Sequence, residues 1–242
     1  MRALLPHDLD DPTDSESLFH AYRAPQRSWI RSNFVASADG GASVEGTAGG
    51  LGSPADQAVL AILRAHAEVV VVGAGTVRAE GYGPLQYTPE RTALRAELGF
   101  TGPARLAVVT GHPDFTGAER WIAQAPVPPI VLTTPQAAHA IPGAEVVGCG
   151  ESDATWVSAE GIVAALHERD LRAILCEGGP HLHSELASAG YLDELCLTIS
   201  PLLVGPGSPR IVAGPPWTRT RPSHLTQLLE DDSLLFARYA LD

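Results

Sequence analysis

Lysine is absent from this 242-residue sequence, and all 16 basic residues are arginine. Against 28 acidic residues they leave a formal net charge of −12 at pH 7. A chain this acidic repels nucleic acid and anionic membranes, so we expect neither as a partner. Any anionic ligand must then be held by a local arrangement of donors, such as backbone N–H groups and helix N-termini.

Cysteine is scarce, and long apolar runs are missing. Cys149, Cys176 and Cys196 are an odd number with no close pair, which argues against a disulfide framework and for a reducing compartment. No apolar run approaches the ~20 residues of a membrane span, and the first residues turn acidic too quickly for a signal peptide. We therefore expect a cytoplasmic protein.

What the sequence does contain is typical of a globular α/β protein. It is 45% apolar, and its 24 glycines and 20 prolines are dispersed between apolar runs as turn punctuation. The first 27 residues are polar and aperiodic, which predicts an N-terminal extension with a short helix around Ser15 to Tyr22. Residues 28–242 are predicted to form a single domain.

Strand-like and helix-like segments alternate from Trp29 onward. Val69 to Val72 is a run of four valines, typical of a strand covered on both faces. Pro54 to His66 has apolar residues at helical spacing, with Ser53 as N-cap. The other strands predicted in this part of the chain are Trp29 to Ala36, Leu106 to Val109, Pro129 to Leu132, Glu145 to Val147 and Ala173 to Cys176, and the other helices are Ala159 to His167 and Pro180 to about Ser188.

The C-terminal part has a different character. After Gly190, strand-like stretches are joined by turns without helices, at Glu194 to Ser200, Arg210 to Val212, His224 to Leu229 and Leu234 to Leu241. The sequence thus predicts a mainly parallel central sheet flanked by helices, with antiparallel C-terminal strands. The segment Gly83 to Thr101 is predicted to be a surface excursion or a subunit contact.

The turn Cys176-Glu177-Gly178-Gly179-Pro180 is the strongest candidate for a ligand site. Two glycines between a buried strand and a helix that begins with proline allow a sharp turn and a close approach of ligand to backbone. The helix N-terminal N–H groups then suit a pyrophosphate. A tight turn with no ligand remains the alternative.

A second glycine-bearing segment, Gly73-Ala74-Gly75-Thr76, follows the four valines. It opens like a dinucleotide fingerprint, but Arg78 stands where the third glycine should be. Strand Leu106 to Val109 ends at Thr110 without the acidic residue that binds a ribose 2′-hydroxyl in NAD enzymes, which favours NADP.

A third segment, Ser37-Ala38-Asp39-Gly40, ends the first predicted strand. Its carboxylate could supply or orient a proton in a cleft. The alternative is an Asp-Gly turn with a solvated carboxylate.

Taken together, these segments resemble the reductase domain of riboflavin biosynthesis, which has a dihydrofolate-reductase-like fold and in many bacteria follows a zinc deaminase. The resemblance runs from about Trp29 to Leu241. The matching pieces, in the family's order and spacing, are Ala36 to Gly40, Ser53, Leu63 to Ala65, Val72 to Val77, Leu175 to Pro180, Leu192 to Leu195, Ile199 to Pro201 and Leu203 to Gly205.

The resemblance implies an NADPH-dependent reduction of 5-amino-6-(5-phosphoribosylamino)uracil, with hydride transfer to C1′ of the ring-opened sugar, in a homodimer. It assigns catalysis to Asp39 and Glu177, and substrate binding to Asn33, Ser37 and Ser53. It assigns cofactor binding to Gly73, Gly75, Thr76, Thr110, Thr133, Gly178 and Gly179.

Other interpretations stay open. Asn33 stands where family members often carry lysine, which removes one positive partner of the substrate. The substrate could then be dihydrofolate or another pteridine-like molecule, or the chain could bind NADP(H) without catalysis. Neither His66-Ala67-Glu68 nor the pair His181 and His183 has the neighbours of a metal site, so no metal is expected.

Overall fold

The structure is a computed structural model, and it describes residues 1–6, 10–12, 14–24 and 28–242. The strands are β1 (Arg2–Leu5), β2 (Trp29–Ser37), β3 (Val69–Gly73), β4 (Arg105–Val109), β5 (Ile130–Thr133), β6 (Glu145–Gly148), β7 (Ala173–Cys176), β8 (Glu194–Ser200), β9 (Ser223–Asp231) and β10 (Leu234–Leu241). The helices are α1 (Ser15–Ala21), α2 (Pro54–Ala65), α3 (Ala74–Ala79), α4 (Pro89–Glu97), α5 (Arg120–Ala123), α6 (Ala159–His167) and α7 (Pro180–Ser188).

All the described strands form one sheet in the order β1-β9-β10-β8-β2-β7-β3-β4-β5-β6. From β8 to β6 neighbouring strands are parallel, while β10, β9 and β1 continue the sheet in antiparallel pairings. This arrangement confirms the predicted fold class. Because β2, β7 and β3 are neighbours in the sheet, the segments that follow them meet at one edge.

The valine run forms β3 and is buried on both faces, as predicted. Val70 and Val72 pack with α1 and α2 in one apolar cluster, whereas Val69 and Val71 pack with α6 and α7 in another. All four side chains are fully buried. The sheet thus has a core on each side, which fixes it as a rigid support for the loops at its edge.

The parts of the first 27 residues that the structure describes pack against the rest of the chain, whereas the sequence predicts an N-terminal extension. Its expected helix is present as α1, and Phe19 is fully buried and stacks on His66 at a centroid distance of 4.1 Å. Strand β1 pairs with β9 at the sheet edge. Leu18, Phe19 and Tyr22 share one face of α1, and this short apolar stripe is what the polar composition of the segment concealed.

A buried charge cluster holds the end of α1. Arg31 donates to the Tyr22 carbonyl and Arg238 to the Ala21 carbonyl, and both guanidiniums pair with Glu194. Burial by itself would raise the pKa of Glu194, but the two guanidiniums outweigh burial and lower this pKa to about 2. The arginines therefore cap the helix while Glu194 balances their charge.

One predicted strand needs correction, and one segment contains a helix that the sequence did not predict. Arg210 to Val212 is not a strand, since residues 201–222 are rich in proline and glycine and cannot supply a regular ladder of N–H donors. This backbone packs on α7 instead, where the Ala213 N–H donates to the Pro180 carbonyl. The excursion Gly83 to Thr101 contains α4, and its Arg95 donates to the carbonyls of Ala65 and Ala67 at the end of α2. No helix within the described part of the chain is long and apolar enough to cross a membrane.

Because Phe19 lies in the core, truncating it should destabilise the whole protein. We expect Phe19→Ala to lower the free energy of unfolding by about 3–5 kcal/mol in denaturant titrations. The control His20→Ala removes a neighbouring side chain that is 44% exposed, and should change the free energy by less than about 1 kcal/mol. Equal stability of the two variants would show that α1 is a dispensable arm.

Candidate functional site

A cavity of about 630 Å³ lies at the carboxyl ends of β2, β3 and β7. Its walls come from the middle of β2, the loop at residues 42–49, one face of α2, helix α3 with residues 79–85, the turn at residues 177–180, and Pro209. Among the predicted site residues, the ones that line it are Asn33, Gly75, Thr76, Glu177 and Gly179. Its volume is that of a site for a small molecule or cofactor.

The Gly-Gly turn adopts a conformation that only glycine fits. The Gly178–Gly179 peptide bond is cis, and Gly178 has a φ of +87°. A Cβ at Gly178 would lie 2.9 Å from the ring of Phe34. Since L-residues rarely adopt this φ and β2 leaves no space, the turn requires glycine at this position.

This turn contacts the start of α3 directly. The Gly73 N–H donates to the Gly178 carbonyl over 2.7 Å, and a Cβ at Gly179 would lie 2.7 Å from Thr76 Oγ1. The predicted segment Gly73 to Thr76 is thus the junction of β3 and α3. Gly75, Thr76 and Gly179 line the cavity, whereas Gly73 and Gly178 do not.

Two helices begin at this junction without side-chain caps. Gly73 is the N-cap of α3 and Gly179 the N-cap of α7, and neither helix has a side-chain hydrogen bond at its N-cap. A Cβ at Gly75 would meet no atom within 4 Å, so the backbone there borders open space. A helix N-terminus without a side-chain cap presents free N–H groups and a partial positive charge, and both attract an anion.

Glu177 forms a buried cluster with Arg64 and Tyr82. Its carboxylate accepts two hydrogen bonds of 2.7 Å from Arg64 and one of 2.6 Å from the Tyr82 hydroxyl. Its side chain is 4% exposed. Burial lowers the pKa of Arg64, but the Glu177 charge outweighs burial and raises it, and burial followed by that same charge raises the pKa of Tyr82. Arg64 stays charged and Tyr82 stays protonated, in a rigid cavity wall.

Sequence reasoning missed the roles of Arg64 and Tyr82. The sequence places Arg64 only within a segment that matches the family, and it assigns no role to Tyr82. A signal was available for Arg64, because it lies four residues after Leu60 and therefore on the same face of α2, and this face lines the cavity. For Tyr82 there was none, since residues 80–88 form a loop.

Asp39 lies outside the cavity lining. Its carboxylate accepts hydrogen bonds from the Ser37 hydroxyl and from the N–H groups of Val204 and Gly205, at 3.2 and 2.8 Å. These bonds, that of Ser37 first, lower the pKa of Asp39. Ser37 is buried and also bonds to Gly41. The two side chains thus join the end of β2 to the loop after β8, and their roles in catalysis and substrate binding stay predictions.

The remaining predicted residues are spread around the site. Ser53 caps α2 as expected, with its hydroxyl accepting from the Asp56 N–H at 3.1 Å, but it does not line the cavity. Thr110 donates to the His112 carbonyl at the end of β4. Thr133 is fully buried at the end of β5. Their contacts with substrate or cofactor stay predictions.

His183 packs behind the Gly-Gly turn. It stacks on Phe34 at 4.5 Å, and a ring nitrogen bonds to the Ile211 carbonyl. Burial lowers the pKa of His183 to about 4, so the ring is neutral near pH 7. In the described residues, no group of three histidine, cysteine, aspartate or glutamate side chains could hold a metal ion.

The sheet and the cavity at its carboxyl edge define an α/β protein of the dihydrofolate-reductase-like fold. A dihydrofolate reductase from Enterococcus faecalis complexed with NADP(H) is similar, with a TM-score of 0.51 and 15% identity over 89% of this chain and 98% of that one.

Within that fold, the family model of the RibD C-terminal domain matches residues 28–232, and the chain belongs to this family. A pyrimidine reductase-like protein from Corynebacterium diphtheriae is similar, with a TM-score of 0.74 and 26% identity over 89% of this chain and 92% of that one. A comparison with curated proteins found no match.

A deaminase/5-amino-6-(5-phosphoribosylamino)uracil reductase from Thermotoga maritima has a TM-score of 0.70 and 19% identity, and 93% of this chain spans 60% of that one. The riboflavin biosynthesis reductase of Saccharomyces cerevisiae has a TM-score of 0.68 and 17% identity, over 92% of this chain and 95% of that one. At these identities the similarity shows the fold.

A substitution at Asp39 distinguishes a structural role, in which its carboxylate holds the loop after β8, from a role as a proton donor. If its carboxylate mainly holds the loop, Asp39→Asn should speed amide hydrogen exchange at Val204 and Gly205, because a neutral amide is a weaker acceptor than a carboxylate. The control Asp153→Asn, at an exposed position, should leave both amides unchanged. Slower turnover with unaltered exchange would instead support the role of Asp39 as a proton donor.

Proposed function

We propose that the protein is an NADPH-dependent reductase that reduces a ribosylaminopyrimidine 5′-phosphate in riboflavin biosynthesis. Membership of the RibD C-terminal domain family carries this proposal. The cavity supports it, since five of the predicted site residues line one space at the carboxyl edge of the sheet. A cytoplasmic location and a homodimer belong to the same proposal.

The junction of α3 and α7 fits a dinucleotide cofactor. Two uncapped helix N-termini lie side by side, as the Gly73 and Gly178 contact shows, and Gly75 borders open space. Backbone N–H groups would hold the pyrophosphate there without lysine. Thr76 adds a hydroxyl at the same wall. Bound NADPH would supply the hydride.

The substrate would occupy the part of the cavity between β2 and α2. Asn33 faces this space from β2, and Glu177 closes it from the turn after β7. Since Glu177 is held by Arg64 and Tyr82, it has one orientation and can position a bound sugar chain beside the cofactor. Burial of these groups would also exclude water from the reacting atoms.

The direct test is NADPH consumption by the purified protein, with 5-amino-6-(5-phosphoribosylamino)uracil and with its 2-amino-4-oxo counterpart. We expect oxidation of NADPH that depends on and saturates with a pyrimidine, together with a ribitylamino product. Dihydrofolate serves as the comparison substrate. Saturable NADPH binding with no consumption in the presence of any of the three would support a binding protein without catalysis.

Gly75 allows a test of the cofactor position without disturbing the fold. Its Cβ direction is open, so alanine or aspartate fits, and an acidic residue in a first helical turn is favourable. We expect Gly75→Asp to raise the dissociation constant of NADPH at least about 10-fold, because its carboxylate would face the phosphates. Gly75→Ala should change it less than about threefold in the same fluorescence titration. Unchanged affinity in the aspartate variant would place the cofactor elsewhere.

A further inference from the structure

Tyr82 connects two walls of the cavity that come from distant parts of the chain. Its backbone N–H donates to the Val77 carbonyl at 3.1 Å, which anchors it to α3. Its hydroxyl donates to Oε2 of Glu177 at 2.6 Å, in the turn before α7. Tyr82 lines the cavity and packs against the apolar cluster that contains Val70 and Val72. One side chain thus links the helix of the proposed cofactor site to a carboxylate in the opposite wall.

Arg64 and Tyr82 hold this carboxylate in different ways. Arg64 forms two hydrogen bonds with Glu177 and balances its charge, but the arginine side chain is long, rich in rotamers and 28% exposed. A tyrosine side chain has only two torsion angles, and the Tyr82 ring is packed against the core. Because Tyr82 stays protonated, its hydroxyl remains a donor to Glu177 near pH 7. Arg64 therefore supplies the charge, and Tyr82 supplies a fixed direction.

Tyr87, in the same loop, makes only structural contacts among the described residues. Its hydroxyl donates to the backbone carbonyl of Arg64 at 3.1 Å, and the Arg95 guanidinium lies over its ring at 5.0 Å. It packs against the same apolar cluster as Tyr82, yet it does not line the cavity of about 630 Å³. The two phenols thus differ in their acceptor, which is a backbone carbonyl for Tyr87 and the Glu177 carboxylate for Tyr82.

We propose that Tyr82 is a positioning residue of the reductase, whose hydroxyl fixes the orientation of the Glu177 carboxylate relative to α3 and thereby to the reacting end of the substrate. The inference rests on the proposed function, since it concerns the rate of reduction. Tyr82 acts through Glu177 and makes no contact of its own with the reacting atoms. A displacement of about 1 Å in such a group can cost about 100-fold in rate, so the chemical step depends on this bond more than ligand binding does.

Tyr82→Phe removes the hydroxyl and keeps the ring, so it tests the bond directly. We expect kcat to fall about 10- to 100-fold, the range of one hydrogen bond to a charged group, while the KM values of NADPH and pyrimidine stay within about threefold. The deuterium isotope effect on kcat, with NADPH labelled at the transferred hydrogen, should be no smaller than in the wild-type protein. An unchanged kcat, or a smaller isotope effect, would overturn the inference.

Tyr87→Phe is the matched control, because it removes a buried hydroxyl from the same loop. Both variants lose one hydrogen bond of the fold, so both should unfold at a lower denaturant concentration than the wild-type protein. Only Tyr82→Phe should lower kcat, whereas Tyr87→Phe should keep it within about threefold. An equal loss of kcat in the two variants would show a general effect of loop stability and would contradict a positioning role.

Glu177→Gln provides a test that leaves Tyr82 intact. If the carboxylate must be oriented, this change should lower kcat at least as much as Tyr82→Phe does. Adding Tyr82→Phe to Glu177→Gln should then lower kcat by less than about threefold more, because the two residues act as one unit. A kcat that Glu177→Gln leaves unchanged would overturn the inference. So would a full 10-fold further loss in the double variant, since Tyr82 would then act on the substrate itself.

Turnover by the wild-type protein separates this inference from the proposed function. If NADPH is consumed with none of the two pyrimidines and dihydrofolate, both are overturned. If NADPH is consumed and Tyr82→Phe has the wild-type kcat, the reductase stands and only the positioning role of Tyr82 is overturned.

Discussion

The contact between the two strand-to-helix junctions is the constraint on which the cavity depends. Gly73 donates its N–H to the Gly178 carbonyl, so the start of α3 and the turn before α7 are held at a fixed separation. The contact is possible because β3 and β7 are neighbours in the sheet, although about a hundred residues separate them in the chain. Side chains at Gly178 or Gly179 would meet Phe34 or Thr76, so glycine is a packing requirement as well as a conformational one.

The distribution of arginine explains how a chain without lysine arranges its charges. Arg31 and Arg238 cap α1 around Glu194, Arg95 caps α2, and Arg64 is paired with Glu177. Each guanidinium serves several acceptors at once, which a lysine ammonium does less well. These arginines therefore make structural contacts. The described cavity wall contains more acidic than basic side chains.

The sequence by itself determined which segments form the parallel strands and several of the helices, because buried β-branched runs such as Val69 to Val72 and helix signals such as Ser53-Pro54 are local. It did not determine the order of the strands in the sheet. It also identified the Gly-Gly turn, since paired glycines between a strand and a proline are a local pattern. It did not predict α4 or the packing of α1, whose apolar stripes are short and gain stability from the sheet they cover.

Only the tertiary structure decided which predicted residues share the cavity. Asn33 in the middle of β2 lines the cavity, whereas Asp39, just after β2, accepts hydrogen bonds from the loop after β8. Their proximity in sequence could not distinguish these outcomes, because the contacts of each residue depend on elements from distant parts of the chain.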